Sequence, residues 1–453
     1  MGIQINGQTD TISATDGSFT ISGASGNLTG NLTGNVTGNL TGNVTGNLTG
    51  DVTGNLTGDV TGNLTGTAST ATSATTAYGL SGSPTLSGIT SVSTTNLTVN
   101  GTAYPSAGPL SNRNLIINGA MQVAQRGTSS TSAGYRTVDR FGTTVASLSA
   151  TQTQESLSSG DPFNEGFRYF YRQENTSTST ASSARMIIYQ RMEGQSIAQS
   201  GWNYTDSNSF ITLSFWVRAS VAQTYYVQLS THNVGTQYNY PSSFSVSANT
   251  WTKVTKQIPG NSNLAFTNSN VEGLRVNFNA FLGTDRTDSG VSDNTWATYA
   301  TGTQCPDMTS TWANTSNATF DITGVQLEVG SVATPFEHRS YGDELRRCER
   351  YFQVIKAIQA MSGGSSTIVV SSINLRTVMR STPTWEQTGA FTFERSFYGG
   401  TTQTSASVTV YSAGSNTPYG SYLRFNNIPP TLPDNVGYYL NDSTDYLTAS
   451  AEL

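Results

Sequence analysis

The chain has 453 residues, enough for about three domains by size alone, and a formal net charge of −6. Charged residues make up 11% of it and aromatics 10%, against ~25% charged in ordinary soluble domains, which argues against charge-driven disorder and gives no reason to expect nucleic acid or an anionic membrane surface as a partner. Abundant Gly, Ser, Thr and Asn suit turn-rich β structure, so the composition points to an all-β chain.

Cys305 and Cys348 are too few for a disulfide framework and fit no zinc spacing, which leaves them as buried thiols. The opening MGIQINGQTD has neither a charged nor an apolar signal region, and no apolar run approaches the ~20 residues that span a bilayer. The expectation is a chain made in a cytoplasm that stays soluble or joins a larger particle.

Residues 1–26 hold two short alternating runs around Asn6-Gly7 and Asp16-Gly17 and read as a small β cap or attachment end. From Asn27 to Gly66 the sequence runs through ten tetrads, NLTGNLTGNVTG and onward. Gly at every fourth place excludes a helix, at ~1 kcal/mol each, and collagen requires Gly at every third. As an extended chain, Leu28, Gly30, Leu32 and Gly34 share one face. From Leu32 the aliphatics alternate Leu and Val, and Asp replaces Asn only before Val, at Asp51 and Asp59, so the true repeat is an octad. One aliphatic per tetrad cannot offset the ordering of so many Gly-rich backbones unless nearly every amide is paired. A lone ribbon leaves two edges open, whereas several chains wound together pair them all. The stretch is therefore expected to be a multi-chain β shaft; three chains are assigned to it, a number the energetics do not themselves fix.

The neck, 67–111, repeats Ala68, Ala71, Ala74 and Ala77, then offers a strand in which Leu97 and Val99 share a face before Asn100-Gly101. From Asn112 the composition shifts toward aromatics, and the arginines begin at Arg113. NLIINGAMQVAQRG, ARMIIYQRM, FITLSFWVRAS, TYYVQLSTHN, WTKVTKQIPG, GLRVNFNAFLG and ATFDITGVQLEVG read as strands, spaced for a jelly-roll sandwich over 112–338. Residues 339–360 carry Leu345, Cys348, Tyr351, Phe352 and Ile355 at spacings of three and four. They read as a linking helix with Arg346, Arg347 and Arg350 outward. Residues 361–453 return to strands and read as a smaller β-rich tip.

Several of these segments carry a resemblance. NLIINGAMQVAQRG, YRTVDRF, SFWVRAS, VMRSTPTW and above all the combination GVQLEVG…ATPFE…RCxRYF resemble the C-terminal regions of bacteriophage tail fibre proteins. The opening MGIQINGQTDT and the NLTG repeats are similar to fibres of cyanobacterial and marine phages. The middle domain also resembles carbohydrate-binding jelly rolls through FWVRAS, WTKVTKQIPG and ITGVQLE. The resemblance implies a homotrimeric virion fibre made in the host cytoplasm. Its N-terminal end would hold other tail proteins, and its globular part would attach to a host surface glycan such as lipopolysaccharide. A tailspike-like glycan hydrolase and a structural connector are the alternatives.

Candidate chemistry is sparse. His232 and His338 are the only histidines, and neither sits in a GxSxG elbow or a zinc-ligand spacing. Asp161, Glu165, Asp285, Asp288 and Asp293 could serve a glycosidase only in a placed pair, and spacing brings no pair together; the expectation is no enzyme and no cofactor. Asp285, Asp288 and Asp293 in DRTDSGVSD offer hard oxygen ligands for Ca²⁺, although the run matches no defined calcium loop and a polar turn is the plainer reading. Aromatics in polar loops are candidate sugar platforms: Trp202, Tyr204, Tyr238, Tyr240, Trp296 and Tyr299 in the sandwich, and Tyr419, Tyr422, Tyr438, Tyr439 and Tyr446 in the tip. The shaft has its own check. Mass measurement in solution is expected to give a multiple of the single chain, and a monomer with a disordered 27–66 segment defeats the shaft.

Overall fold

The computed structural model describes residues 97–99, 102–104, 112–356, 358–362, 368–389, 391–395, 403–405, 407–410, 416–426, 437–440 and 446–453. All belong to the unit Ile89–Leu453. The attachment end, the octad repeat and most of the neck lie outside the described residues. Within the neck, β1 (Leu97–Val99) and β2 (Thr102–Tyr104) pair antiparallel with Leu97 opposite Tyr104.

The next twelve strands are β3 (Ser129–Ser130), β4 (Gly142–Ala146), β5 (Ala150–Ser156), β6 (Tyr169–Asn175), β7 (Arg185–Glu193), β8 (Phe210–Ala219), β9 (Gln223–Thr231), β10 (Tyr238–Val246), β11 (Thr252–Pro259), β12 (Glu272–Leu282), β13 (Ala297–Thr298) and β14 (Thr319–Val329). Three short helices, α1 (Asp161–Asn164), α2 (Gly194–Ala198) and α3 (Thr311–Asn314), fill the turns. The strands form two six-stranded antiparallel sheets, ordered β13-β10-β9-β12-β7-β4 and β11-β8-β14-β6-β5-β3. This is the expected all-β sandwich of jelly-roll type.

Period-2 alternation sets the core. Ile211, Leu213, Phe215 and Val217 of β8 face Leu274, Val276 and Phe278 of β12, all buried in one apolar cluster. The Phe215 ring meets Phe278 and Phe244 edge-on, at 5.0 and 5.4 Å, the arrangement that aromatic quadrupoles favour.

Three expectations fail, each for a local reason. NLIINGAMQVAQRG forms no strand. Asn118 and Met121 take left-handed backbone angles, with φ of 61 and 58°, which a strand cannot contain. Side-chain amides replace the ladder. Asn114 Oδ1 accepts from the Ile116 and Leu327 amides, Asn118 binds the Val123 backbone at both its N–H and C=O, and Gln190 clasps both backbone groups of Ile117. Second, Tyr238 and Tyr240, expected in a polar loop, lie in a strand, since Tyr238 opens β10. Pro241 is tolerated there because it faces the outer side of β10, where β13 pairs only Tyr238 and Asn239 and the Pro241 carbonyl still accepts from the Asn294 amide, so no ladder donor is needed.

Third, the linking helix is shorter than 339–360. α4 spans Tyr341–Glu349, with Ser340 as N-cap accepting from the Asp343 amide. Its buried face carries Glu344, Cys348 and Glu349, while Leu345 is only half-buried. Beyond it, Phe-Gln-Val-Ile becomes β15 (Phe352–Ile355), whose β-branched and aromatic residues pair with a strand almost a hundred residues later; tertiary pairing overrides the helical spacing.

The remaining strands are β16 (Gln359–Ser362), β17 (Val369–Asn374), β18 (Thr384–Thr388), β19 (Phe391–Arg395), β20 (Gln403–Ser405), β21 (Ser407–Val410), β22 (Asn416–Thr417), β23 (Gly420–Asn426), β24 (Gly437–Leu440) and β25 (Tyr446–Ser450). They make a three-stranded sheet, β15-β25-β18, and a larger one, β20-β19-β24-β16-β17-β23-β21 with β22 on β23. Phe391, Phe393 and Phe425 pack at its centre.

The last residues are sewn into the sandwich by arginines. Arg126 lies 3.1 Å from one Glu452 oxygen and Arg140 meets the other. Arg380 donates to the Ala451 and Glu452 carbonyls at 2.8 and 3.0 Å. The Arg140 guanidinium stacks 3.4 Å over Tyr351, and Arg126 lies 3.5 Å over Phe352. Arg140 is 1% exposed, so removing its counter-charge strands a buried cation. Glu452→Ala is expected to cost about 3–5 kcal/mol of stability, measured by urea denaturation; a loss below about 1 kcal/mol contradicts this.

Candidate functional site

Between β12 and β14 the chain leaves the sheet at residue 283 and returns at 318, folding back across the outer face of the β13-β10-β9-β12-β7-β4 sheet. Its own residues explain how it stays there. β13, inside the excursion, adds to the edge of β10, and the Tyr299 amide donates to Gln237 O at 2.8 Å. Asp293 accepts from the Ser243 amide and hydroxyl at 2.9 and 2.5 Å. Trp296 tucks between the layers, its ring 5.2 Å from Tyr240 and its indole N–H on Pro259 O at 2.7 Å. An amide chain crosses the gap: Gln228 donates to Asn239 Oδ1, and Asn239 donates to Gln304 O at 2.6 Å. Cys305 and Met308 seal one end against Tyr226, Ile187 and Leu282. Burial in that seal pushes the Cys305 thiol far up, so it is inert.

What the excursion leaves uncovered is a cleft of about 190 Å³. The sheet contributes Thr144 of β4, Arg185 and Ile187 of β7, Ser230 of β9, Arg275 and Asn277 of β12, with His232 just beyond β9. The excursion contributes Arg286, Tyr299 and Gln304. Register explains the floor. Arg275 stands opposite Ser230, and Asn277 opposite Gln228, all on the face away from Val276 and Leu229.

The floor residue Arg275 belongs to a charged pair, with the neutral His232 imidazole beside it. Arg275 binds Glu272 with two N–H donors at 2.6 and 3.0 Å. Burial opposes ionisation of Glu272, but the Arg275 fork outweighs it and holds the carboxyl below its ordinary range. His232 Nε2 lies 3.0 Å from Ser230 Oγ and 3.7 Å from Glu272. Burial pushes the imidazole down to about 4, against the pull of Glu272. The cleft thus offers hydroxyls, amides, guanidinium groups, a neutral imidazole and one tyrosine ring, the mixture that fixes a polar ligand in orientation.

Of the aromatics marked in the sequence, Tyr299 alone lines this cleft. Trp202, Tyr240 and Trp296 are core residues, and Tyr204 and Tyr238 pack half-buried against the same cluster. In the tip, Tyr438 is buried, Tyr422 half-buried, and Tyr419 stands 68% exposed at the turn between β22 and β23. Tyr439 and Tyr446 sit in β24 and β25, and the Tyr439 side chain is outside the described residues. Asp285, Asp288 and Asp293 do not converge. Asp293 is held by Ser243, Asp288 caps the Gly290 amide at 2.7 Å, and among the described residues no group of three His, Cys, Asp or Glu is placed to hold a metal ion. Glu165 accepts from Lys253 and the Trp216 indole on the other sheet. The polar floor is the part that sequence reasoning passed over. Its signal was present in GLRVNFNAF, where Arg275, Asn277 and Asn279 alternate with the core residues.

No family model matches the chain, and no curated protein does. Among solved structures, the enzymatically active domain of bacteriophage CBA120 tailspike protein 4 is similar over 48% of this chain and 21% of its own length, at 10% identity and a TM-score of 0.27. A putative sugar-binding protein from Bacteroides thetaiotaomicron matches over 48% of this chain and 100% of itself, at 11% identity and a TM-score of 0.26. The family 11 carbohydrate-binding module of Clostridium thermocellum matches over 46% and 98%, at 10% identity and a TM-score of 0.21.

The depressed imidazole predicts a pH dependence. His232 protonates near 4 in the fold and near 6.5 when the chain unfolds, so between those values the unfolded state binds more protons. Stability is full above about pH 6.5 and falls as pH drops toward 4, by about 3 kcal/mol. Denaturation across this range is expected to show the slope in the native chain and to lose it in His232→Gln. An unchanged slope in the variant rules out His232 as its source.

Proposed function

We propose that this chain is a virion tail fibre that attaches to a host cell by binding surface glycan in the cleft beside residues 283–318. The observation that supports it best is the cleft's composition: Tyr299 opposite a floor of Ser230, Asn277 and Arg275. A pyranose ring needs an apolar face for its C–H groups and directional partners for its hydroxyls, and this set supplies both. The printed names of a tailspike domain and of sugar-binding proteins among similar structures agree with the reading, as does the resemblance of GVQLEVG…ATPFE…RCxRYF to phage fibres.

The work proposed is adhesion without turnover. Glycoside hydrolysis needs two placed carboxylates. The residues lining the cleft include none, and Glu272, the carboxylate bonded to its floor, is occupied by Arg275. In the proposed assembly three chains associate through the octad shaft, and residues 1–26 engage another tail protein. Three weak sites on one particle then gain avidity of ~10²–10⁴ where geometry permits.

Direct binding of the intact fibre to host cells and to a bacterial glycan array provides the test. Tyr299→Ala and Asn277→Ala are each expected to weaken glycan binding by about tenfold or more, while Tyr419→Ala in the tip leaves it unchanged. Binding that survives both cleft changes but is lost with Tyr419→Ala moves the site to the tip. Shortened polysaccharide after incubation shows an enzyme instead.

A further inference from the structure

The charges in the cleft are not balanced. Arg275 has Glu272, yet Arg185 and Arg286, both half-buried lining residues, meet no carboxylate or carbonyl among the described residues. Every other arginine of the sandwich has such a partner. Arg172 and Arg218 share Asp321, Arg126 and Arg140 share Glu452, Arg191 reaches Leu453 O, and Arg113 reaches Glu328; Arg136 and Arg168 bind carbonyls. The two exceptions come from separate parts of the chain. Arg185 opens β7 opposite Leu282, and Arg286 follows four residues after Leu282, at the start of the excursion.

Their surroundings make this costly for the free protein. Burial and the like charge of Arg286 both push the Arg185 pKa down, with only the Tyr299 phenol acting the other way. His232 is neutral above pH 5 and adds no charge. No carboxylate is among the lining residues that could relieve the pair. A guanidinium presents a planar fork of N–H donors matched to a carboxylate or phosphate, and two of them on one small cleft make a site for an oxyanion.

We infer that the cleft takes an anionic glycan, with Arg185 and Arg286 gripping an acidic substituent while Tyr299 and Asn277 hold the sugar ring beside it. The inference rests on the cleft being the glycan site. The shared chemistry is an oxyanion carried on a sugar, which is either the carboxylate of a uronic-type residue or a phosphate ester of a core sugar.

The intact fibre is applied to an array carrying neutral oligosaccharides, uronate-containing oligosaccharides and phosphorylated bacterial core oligosaccharides. Binding is expected to be confined to the acidic sets, and the set that binds identifies the substituent. Raising salt from low to high ionic strength should weaken it, because the contact is between charges. Arg185→Gln and Arg286→Gln should each lower affinity by roughly tenfold to a hundredfold. Arg185→Lys, which keeps the charge but loses the fork, should retain an intermediate affinity, and unchanged urea midpoints establish that the variants fold. Equal binding of neutral glycans, or undiminished binding by the Arg185→Gln, Arg286→Gln double variant, overturns the inference. If neutral glycans bind and Tyr299→Ala abolishes that binding, the cleft remains the site and only its preference for anions falls. If no set binds, the glycan reading and this inference fall together.

Discussion

The cleft depends on a short relay of amides. Gln228 and Asn239 are buried on the outer face of a sheet whose other face is the apolar core, and a buried amide without partners is expensive. Asn239 meets that demand by donating to the Gln304 carbonyl, which pins residues 283–318 over the strands. Trp296 fixes the same excursion from the side, because its ring enters the core between the sheets. Floor and wall are thus held by contacts independent of any ligand, the condition for a site formed before it is occupied.

Buried charge is handled the same way throughout. Asp321, wholly buried, is shared by Arg172 and Arg218. Glu193 receives Arg350 and the Tyr351 hydroxyl, and Glu452 receives Arg126 and Arg140. The Glu193 set ties the sandwich to the end of α4, and the Glu452 set ties it to the tip. Such pairs contribute little net energy against an apolar alternative, but each is costly to break on one side, so they define which surfaces may meet. Against that pattern, two arginines facing a cleft without partners stand out as groups directed at something outside the chain.

Legibility in the sequence followed periodicity. Strands with strict alternation, such as FITLSFWVRA in β8 and GLRVNFNAF in β12, were plain because one face had to be apolar. NLIINGAMQV misled because its backbone is satisfied without a ladder: Asn114 and Asn118, inside the segment, take the Ile116 and Val123 amides, and Gln190 of β7 takes that of Ile117. YFQVI misled because its spacing suits a helix equally well, and only its pairing with β25 settles the matter. The site suffered most. Trp202, Tyr240 and Trp296 looked like exposed platforms in polar loops, yet Tyr240 is an inward residue of β10, and the segments carrying Trp202 and Trp296 bury their largest rings, where they remove the most apolar surface from water.

Sequence alone therefore determined the all-β class and the places where most strands run, because these follow from composition and a two-residue period. The octad repeat likewise carries its phase in the residues themselves. Only the tertiary structure decided which aromatics face outward and which polar residues share a floor. It also decided that Arg185 and Arg286, a hundred and one residues apart in the chain, line one cleft without a counter-charge. That juxtaposition arises from strand order and from the path of residues 283–318, and no local pattern encodes either.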